Sequence, residues 1–350
     1  QRIRLASLLG SRLTSLTVLL DEPTRGLHPA EVDVLLSALQ ALRDEGNTVI
    51  VVEHDPQVMH SADHLIDMGP GAGQNGGHIV AQGTPEEVAR GESTTARWLR
   101  GERRMEARHR REPRAWLTIY GARANNLKGE RIHIPLGVLV GVCGVSGSGK
   151  STLVVDTLGR ALAPRKQTTS VAYEPVEPGE YDTIEGIPPR TLVVDQSRAG
   201  LGSPATFLDL ARPLQAIYAS SSEAQARGLS EVKLAERCSV CDGRGRLTLD
   251  MAFLPDVHET CETCRGSGYT AEAWEVHLNG LALPEVFGQT IDEVYRLFGD
   301  EPRLRRPLQA ARDVGLGYLV LRQPGYALSG GEAQRLKIAS ELCRKSVAGS

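Results

Sequence analysis

With 350 residues, of which 41% are hydrophobic and 24% charged, the chain has material for two or three packed domains, and wholesale disorder is excluded. No apolar run approaches the ~18–20 residues of a membrane-spanning helix and no charged-then-apolar leader opens the sequence, so a cytoplasmic location without a membrane partner is expected. A formal net charge of −3 and 4% aromatic residues exclude bulk positive charge or base stacking as the basis of nucleic-acid binding, which would have to rest on local patches.

The opening residues, Gln1-Arg2-Ile3-Arg4-Leu5-Ala6-Ser7, recur with small changes as Gln334-Arg335-Leu336-Lys337-Ile338-Ala339-Ser340. A repeat at that separation predicts a duplicated module, and hence a chain running from inside one module to the same point of the next. Leu16 to Leu20 reads as a strand ending in Asp21-Glu22-Pro23. Ala30 to Asp44 has helical periodicity and stops at Gly46, and the β-branched run Thr48 to Val52 reads as a second strand ending in Glu53-His54-Asp55. Strand–helix–strand order predicts a parallel α/β sheet. Residues 1–100 thus form the later part of a first module. Residues 101–114 lack an apolar stripe, carry six Arg against three Glu, and read as a basic linker. A second α/β segment covers 115–200. Residues 201–325, richer in turns and with two amphipathic stretches, read as an insertion before a closing segment, 326–350.

In the second segment Gly144-Val145-Ser146-Gly147-Ser148-Gly149-Lys150-Ser151 fits GxxxxGK[ST]. An apolar strand, Val138 to Val142, is expected before it and a helix, Thr152 to Leu162, after it, as the phosphate-binding motif requires. The glycines let backbone N–H groups approach phosphates, and the helix N-terminus adds partial positive charge. Gly144, Gly147, Ser148, Gly149, Lys150, Ser151 and Thr152 are therefore the candidate ATP-binding residues, with Lys150 reaching the β/γ-phosphates and Ser151 ligating Mg2+. Such a site also needs a carboxylate at the end of a neighbouring strand. Asp21 fits as the second Mg2+ ligand, Glu22 as the group that orients or deprotonates water, and His54 as a γ-phosphate sensor. The bland alternatives are a helix cap for Asp21 and a solvated turn for residues 53–55.

Four of the six cysteines form the pattern Cys238-x2-Cys241-x19-Cys261-x2-Cys264, each pair followed by glycines. Paired knuckles at that spacing predict a closed Zn2+ site of four thiolates, with His258 outside the ligand set. Across 228–270, five Lys/Arg face seven Asp/Glu, so the module brings no excess positive charge. Arg244 and Arg246 are its candidate phosphate contacts; solvated surface arginines are the alternative. Near the end, Leu328-Ser329-Gly330-Gly331-Glu332-Ala333-Gln334-Arg335 precedes a helix, and Ser329, Gly330 and Gly331 form a second candidate anion nest.

LSGGEAQR resembles the signature of ABC ATPases, and the resemblance narrows further. GARANNLK (121–128), GVSGSGKSTL (144–153), VDQS (194–197), FLPDV (253–257), DVGLGYL (313–319) and LSGGEAQRLKIASEL (328–342) look like the motifs of the UvrA family of bacterial nucleotide excision repair. So do DEPTRGLHP (21–29), VVEHD (51–55) and IDMGPGAG (66–73) in the first module. The resemblance implies an ABC-type P-loop fold, partial or circularly permuted, with an inserted helical and zinc-knuckle domain. It implies an ATPase that recognises damaged duplex DNA, forms a homodimer and works with a UvrB-like subunit. It makes Gln196 the Q-loop residue, offers Tyr120 as an adenine-stacking ring, and gives the zinc hairpin a part in DNA binding. ABC sites join the phosphate loop of one module to the signature of another, so slow ATP turnover is expected of this chain alone. LSEVKLAERC before Cys238 and SRAGLGSPAT after Gln196 depart from the family pattern; the alternative they raise is a paralogue serving drug resistance.

Overall fold

The expected alternation at the start is met nearly residue for residue. In the computed structural model, which describes residues 14–102, 110–162, 177–198, 200–249 and 257–344, β1 (Thr17–Asp21) and β2 (Thr48–Val52) pair in parallel around helix α1 (Pro29–Asp44). The first copy of the repeated heptad, half of the basic linker (103–109) and most of FLPDV lie outside the described residues. Leu35, Leu39 and Leu42 of α1 are buried against Leu20, Val49 and Val51, the inward set of the two strands. The opposite set, Leu19, Ile50 and Val52, is exposed. Period-3.6 spacing on the helix meets period-2 alternation on the strands, which fixes both register and face. His28 caps α1, its side chain accepting from the Ala30 N–H while Glu31 reaches back to the His28 N–H.

Helix α2 (Pro56–Ser61), the antiparallel hairpin β3 (Leu65–Gly69) and β4 (His78–Gly83), and helices α3 (Pro85–Ala89) and α4 (Thr94–Leu99) complete the first segment. The second opens with β5 (Ala115–Tyr120), which pairs antiparallel with β6 (Ile132–Leu136) on one side and β7 (Thr183–Glu185) on the other. Leu117 and Ile119 of this sheet pack on Leu158 and Leu153 of the helix that follows the phosphate loop. That helix is π-wound over Thr152–Gly159 and ends in the short α5 (Arg160–Leu162). Within these π turns Thr157 Oγ1 donates to the Thr152 carbonyl, 2.8 Å away and five residues back.

Two expectations need correction. The run Val138 to Val142 forms no strand, and Leu139, Val140 and Val142 are exposed. Among the described residues no strand pairs with it, and an apolar run without a ladder partner has nothing to hold it in a sheet. The parallel sheet is accordingly confined to β1 and β2, while the sheet of the second segment is antiparallel.

The chain divides into two compact units, and among the described residues the second runs from Val194 onward. Short helices α6 (Pro204–Phe207), α7 (Ala211–Ala219), α8 (Ser222–Ala226) and α9 (Glu231–Leu234) lead into the hairpin β8 (Arg246–Leu249) and β9 (Val257–Thr260). The small hairpin β10 (His277–Leu278) and β11 (Leu281–Ala282) follows, then α10 (Leu283–Phe287), α11 (Ile291–Phe298), α12 (Pro302–Asp313) and the signature helix α13 (Gly330–Cys343). Their apolar faces close one core: Ile291, Val294 and Phe298 of α11, Leu304, Leu308 and Ala311 of α12, and Leu336 and Ala339 of α13. Tyr218 lies fully inside it. Its hydroxyl donates to the Leu281 carbonyl at 2.7 Å, and burial pushes its pKa well above the usual phenol value.

Candidate nucleotide and metal centres

The phosphate loop has the backbone its glycines predict. Gly144, Gly147 and Gly149 have φ of 146°, 77° and 97°, a region that residues with a β-carbon rarely occupy. At Gly149 a β-carbon would also lie 2.9 Å from Asn126 Oδ1. The Lys150 ammonium folds across the loop and donates to the carbonyls of Gly144 (2.7 Å) and Val145 (2.8 Å). Ser151 is exposed at the head of the helix, and Thr152 is buried beneath it.

Asparagines behind the loop hold its shape. Asn126 Nδ2 donates to the Gly147 carbonyl (2.7 Å), and Asn125 Nδ2 to Thr152 Oγ1 (3.2 Å). Asn125 itself has φ 53°. In the sequence these asparagines stand out only within GARANNLK; their residue type, which tolerates a left-handed backbone better than most, is the signal that points to a turn. A second unforeseen contact joins the first segment to the loop: Glu31 Oε2, already capping α1, accepts from the Ser146 N–H at 3.0 Å.

Asp21 ends β1 and is exposed. Glu22 follows at φ 44°, its N–H bonded to the Val52 carbonyl and its carboxylate 3.8 Å from Arg25. His54 is exposed just beyond β2, ahead of Asp55, which caps α2. Glu53, not His54, has the dense network there. Burial alone would raise its pKa, but hydrogen bonds from Thr24 Oγ1 (2.5 Å), the Thr24 N–H (2.8 Å) and the N–H groups of His54 and Asp55 hold it below the usual range. Tyr120 donates to Glu185 (3.0 Å) and carries Arg131 over its ring at 5.1 Å.

In the second unit Ser329 caps α13: its hydroxyl accepts from the Glu332 N–H, and Glu332 accepts from the Ser329 N–H at 2.6 Å. Tyr318 donates to the other Glu332 oxygen at 2.6 Å. Burial pushes the Glu332 carboxyl up, yet these donors hold it below its ordinary value. Gly331 has open space where a β-carbon would stand. Side chains of the same helix anchor residues 194–197. Lys337 Nζ donates to Asp195 Oδ1 (2.5 Å) and the Ser197 carbonyl (2.9 Å), and Gln334 to the Val194 carbonyl (3.4 Å). Gln196, between those anchors, is exposed.

The four cysteines come together as their spacing predicts. All are buried, and their sulfurs lie within 4.8 Å of one another. Cys238 to Cys261 is 4.0 Å and Cys241 to Cys264 is 3.7 Å. Metal–sulfur bonds of ~2.3 Å in a tetrahedron separate sulfurs by about 3.8 Å, so these residues fit a zinc ion. The two knuckles repeat each other. The Gly245 N–H donates to Cys241 Sγ (3.2 Å) and the Gly268 N–H to Cys264 Sγ (3.3 Å). The Cys238 N–H bonds the Gly268 carbonyl and the Cys261 N–H the Gly245 carbonyl, which ties each knuckle to the other. A hydrogen bond from the Cys264 backbone, with smaller help from the neighbouring thiols, lowers Cys261 to about 7, whereas burial raises Cys241 to about 11. Arg244 is exposed, and the half-buried Arg246 carries its guanidinium over the Tyr326 ring at 4.8 Å.

A phosphate loop followed by its helix, an LSGGE-capped helix and a four-cysteine insertion define an ABC-type P-loop fold with an inserted helical and zinc-knuckle domain. Comparison with known proteins names the family. Over 99% of its length the chain is 42% identical to UvrABC system protein A of Staphylococcus aureus, 44% to that of Thermus thermophilus and 45% to that of Listeria monocytogenes. The crystal structure of UvrA2 from Deinococcus radiodurans matches 97% of the chain, and 42% of that protein, with a TM-score of 0.85 at 40% identity. No family model matches the chain. These likenesses support a fragment of the UvrA family, and the chain spans 37% of the length of the curated relatives it matches. Among the described residues no helix is long and apolar enough to cross a membrane.

Proposed function

We propose that the chain is the nucleotide- and zinc-binding part of a UvrA-like ABC ATPase that acts in excision repair of DNA with a UvrB-like partner. The observation that carries the reading is the phosphate loop, with three glycines at positive φ, Lys150 across its mouth and Asn126 bracing it from behind. In this reading the N–H groups of residues 146–150 and the Lys150 ammonium bind the β/γ-phosphates. Ser151 and Asp21 hold Mg2+, which when bound neutralises charge on the phosphate oxygens. Glu22 orients water, His54 and Gln196 sense the γ-phosphate and the metal, and Ser329, Gly330 and Gly331 face the nucleotide of a partner module in a homodimer. The four cysteines hold zinc and keep the hairpin β8–β9 shaped for a DNA partner.

Calorimetry on the zinc-loaded chain tests the core of this. MgATP is retained, and Lys150→Ala, which removes a charge-assisted contact of about 1.5–3 kcal/mol, weakens retention by about 10–100-fold. No retention by either protein overturns the reading. Binding to damaged and intact duplexes across a salt series tests the DNA part: a steep salt slope with preference for the lesion supports repair, and absence of both rejects it.

A further inference from the structure

Arg246 opens β8 one residue after Gly245, whose N–H bonds the sulfur of Cys241. Its guanidinium reaches out of the metal hairpin and lies over Tyr326. Tyr326 is the middle residue of the 3-10 turn Gly325–Ala327, three positions before Ser329. The backbone of that turn is confined. A β-carbon on Gly325 would meet the carbonyl of Leu201, and the Tyr326 carbonyl accepts from Arg198 at 3.4 Å. Arg198 stands two residues after Gln196, on the stretch that Lys337 anchors. One connected set of contacts therefore runs from a cysteine knuckle through Arg246 and Tyr326 to the cap of the signature helix and to the Q-loop.

We propose that Arg246 is a positioning residue that ties the metal hairpin to the signature turn, so that metal loading sets the geometry of Ser329, Gly330 and Gly331. Tyr326 is 54% exposed and Arg246 half-buried, so the pair does not hold up the core. A guanidinium on a ring face fixes the direction of both groups: Arg246 is held in the ladder with Thr260 directly after the cysteine knuckle, and Tyr326 sits in a short 3-10 turn. With zinc removed, the knuckle around Cys241 loses its centre, Arg246 loses its fixed origin, and the signature turn is released. The nucleotide-facing role of that turn rests on the function proposed above; the mechanical coupling does not.

Hydrogen exchange read by mass spectrometry over residues 325–332 tests it in this chain. Removing zinc with a chelator speeds exchange of these amides at least threefold, and adding zinc alone restores it. Arg246→Ala speeds the same amides at least threefold while zinc affinity stays within twofold of the parent. Arg246→Lys and Tyr326→Phe, which keep a cation and a ring, restore at least half the protection; Tyr326→Leu does not. Tyr326→Trp supplies an independent readout, an emission change on zinc removal that Arg246→Ala abolishes. Unchanged exchange in zinc-loaded Arg246→Ala, or an emission change that survives it, overturns the proposal. So does loss of zinc from Arg246→Ala, which would make the arginine merely part of the metal site. A chain that binds no nucleotide but shows the coupling defeats the proposed function and leaves this inference standing; one that binds nucleotide without the coupling does the reverse.

Discussion

The carbonyl oxygen of Gly266 occupies the space that a β-carbon on Gly245 would need, and the carbonyl of Gly243 does the same to Gly268. The two cysteine knuckles are pressed together through their glycines, with φ of 71° at Gly245 and 78° at Gly268. A side chain at either position meets two penalties: a left-handed backbone and a collision with the facing knuckle. Gly245→Ala or Gly268→Ala is expected to destabilise the module by at least about 1–3 kcal/mol, the usual range for such backbone strain. The measurement is zinc stoichiometry after dialysis: near one per chain for the parent and well below it for either variant, with the helical core around Tyr218 still folded by near-ultraviolet dichroism.

Asn126 makes a different kind of support. Its amide donates to the Gly147 carbonyl and its oxygen sits beside Gly149, so it braces the loop without facing the phosphates. Asn126→Ala removes one net hydrogen bond of about 0.5–1.5 kcal/mol, which predicts a loss of about 2–10-fold in MgATP affinity. Calorimetry decides. An unchanged affinity would show that the loop keeps its form without the asparagine.

How much of this was legible beforehand follows from where the information lies. β1, α1 and β2 were readable because alternation and helical period are local, and the buried set Leu35, Leu39 and Leu42 is the one that the period selects. The cysteines, phosphate loop and signature were readable because their chemistry fixes residue types at fixed spacing. The run Val138 to Val142 misled because its composition reports strand preference, not the presence of a neighbour to pair with. Contacts between distant residues left no local trace: Glu31 on Ser146, Arg246 on Tyr326, Lys337 on Asp195. In each, a charged side chain that would be an ordinary surface charge on its own element reaches a group far away in the sequence.

The Lys337–Asp195 pair gives a pH prediction. Burial raises the Asp195 carboxyl, but the hydrogen bond and charge of Lys337, with the Ser197 N–H, outweigh it and hold the pKa below its ordinary value. A carboxyl depressed by folding stabilises the protein fully above its unfolded pKa of ~3.9, and that contribution is lost as pH falls through the lower folded value. Asp195 is 58% exposed, so the pair is worth only about 0–1 kcal/mol. Lys337→Met is thus expected to lower the urea midpoint slightly at pH 7, with the difference from the parent shrinking steadily below about pH 4. A difference that grew on acidification would reverse the assigned sign.

Glu31 offers the sharpest test of how the first segment bears on the phosphate loop. One of its oxygens accepts from both the His28 N–H and the Ser146 N–H, so a carboxylate stands at an amide that the proposed function assigns to phosphate. Like charges in such proximity repel, by about 1–4 kcal/mol near a protein surface at low salt and less as salt screens them. Glu31→Gln keeps an oxygen for the helix cap and removes the charge. It is expected to tighten MgATP binding by about 3–10-fold at low ionic strength, with the gain shrinking towards 1 M salt. Glu31→Ala adds a control: it loses the cap as well, so its binding gain comes with a destabilisation of about 0.5–1 kcal/mol in α1. Calorimetry at two salt concentrations separates the cases. Weaker binding by Glu31→Gln would mean that the carboxylate helps to shape the loop for its ligand and does not compete with it.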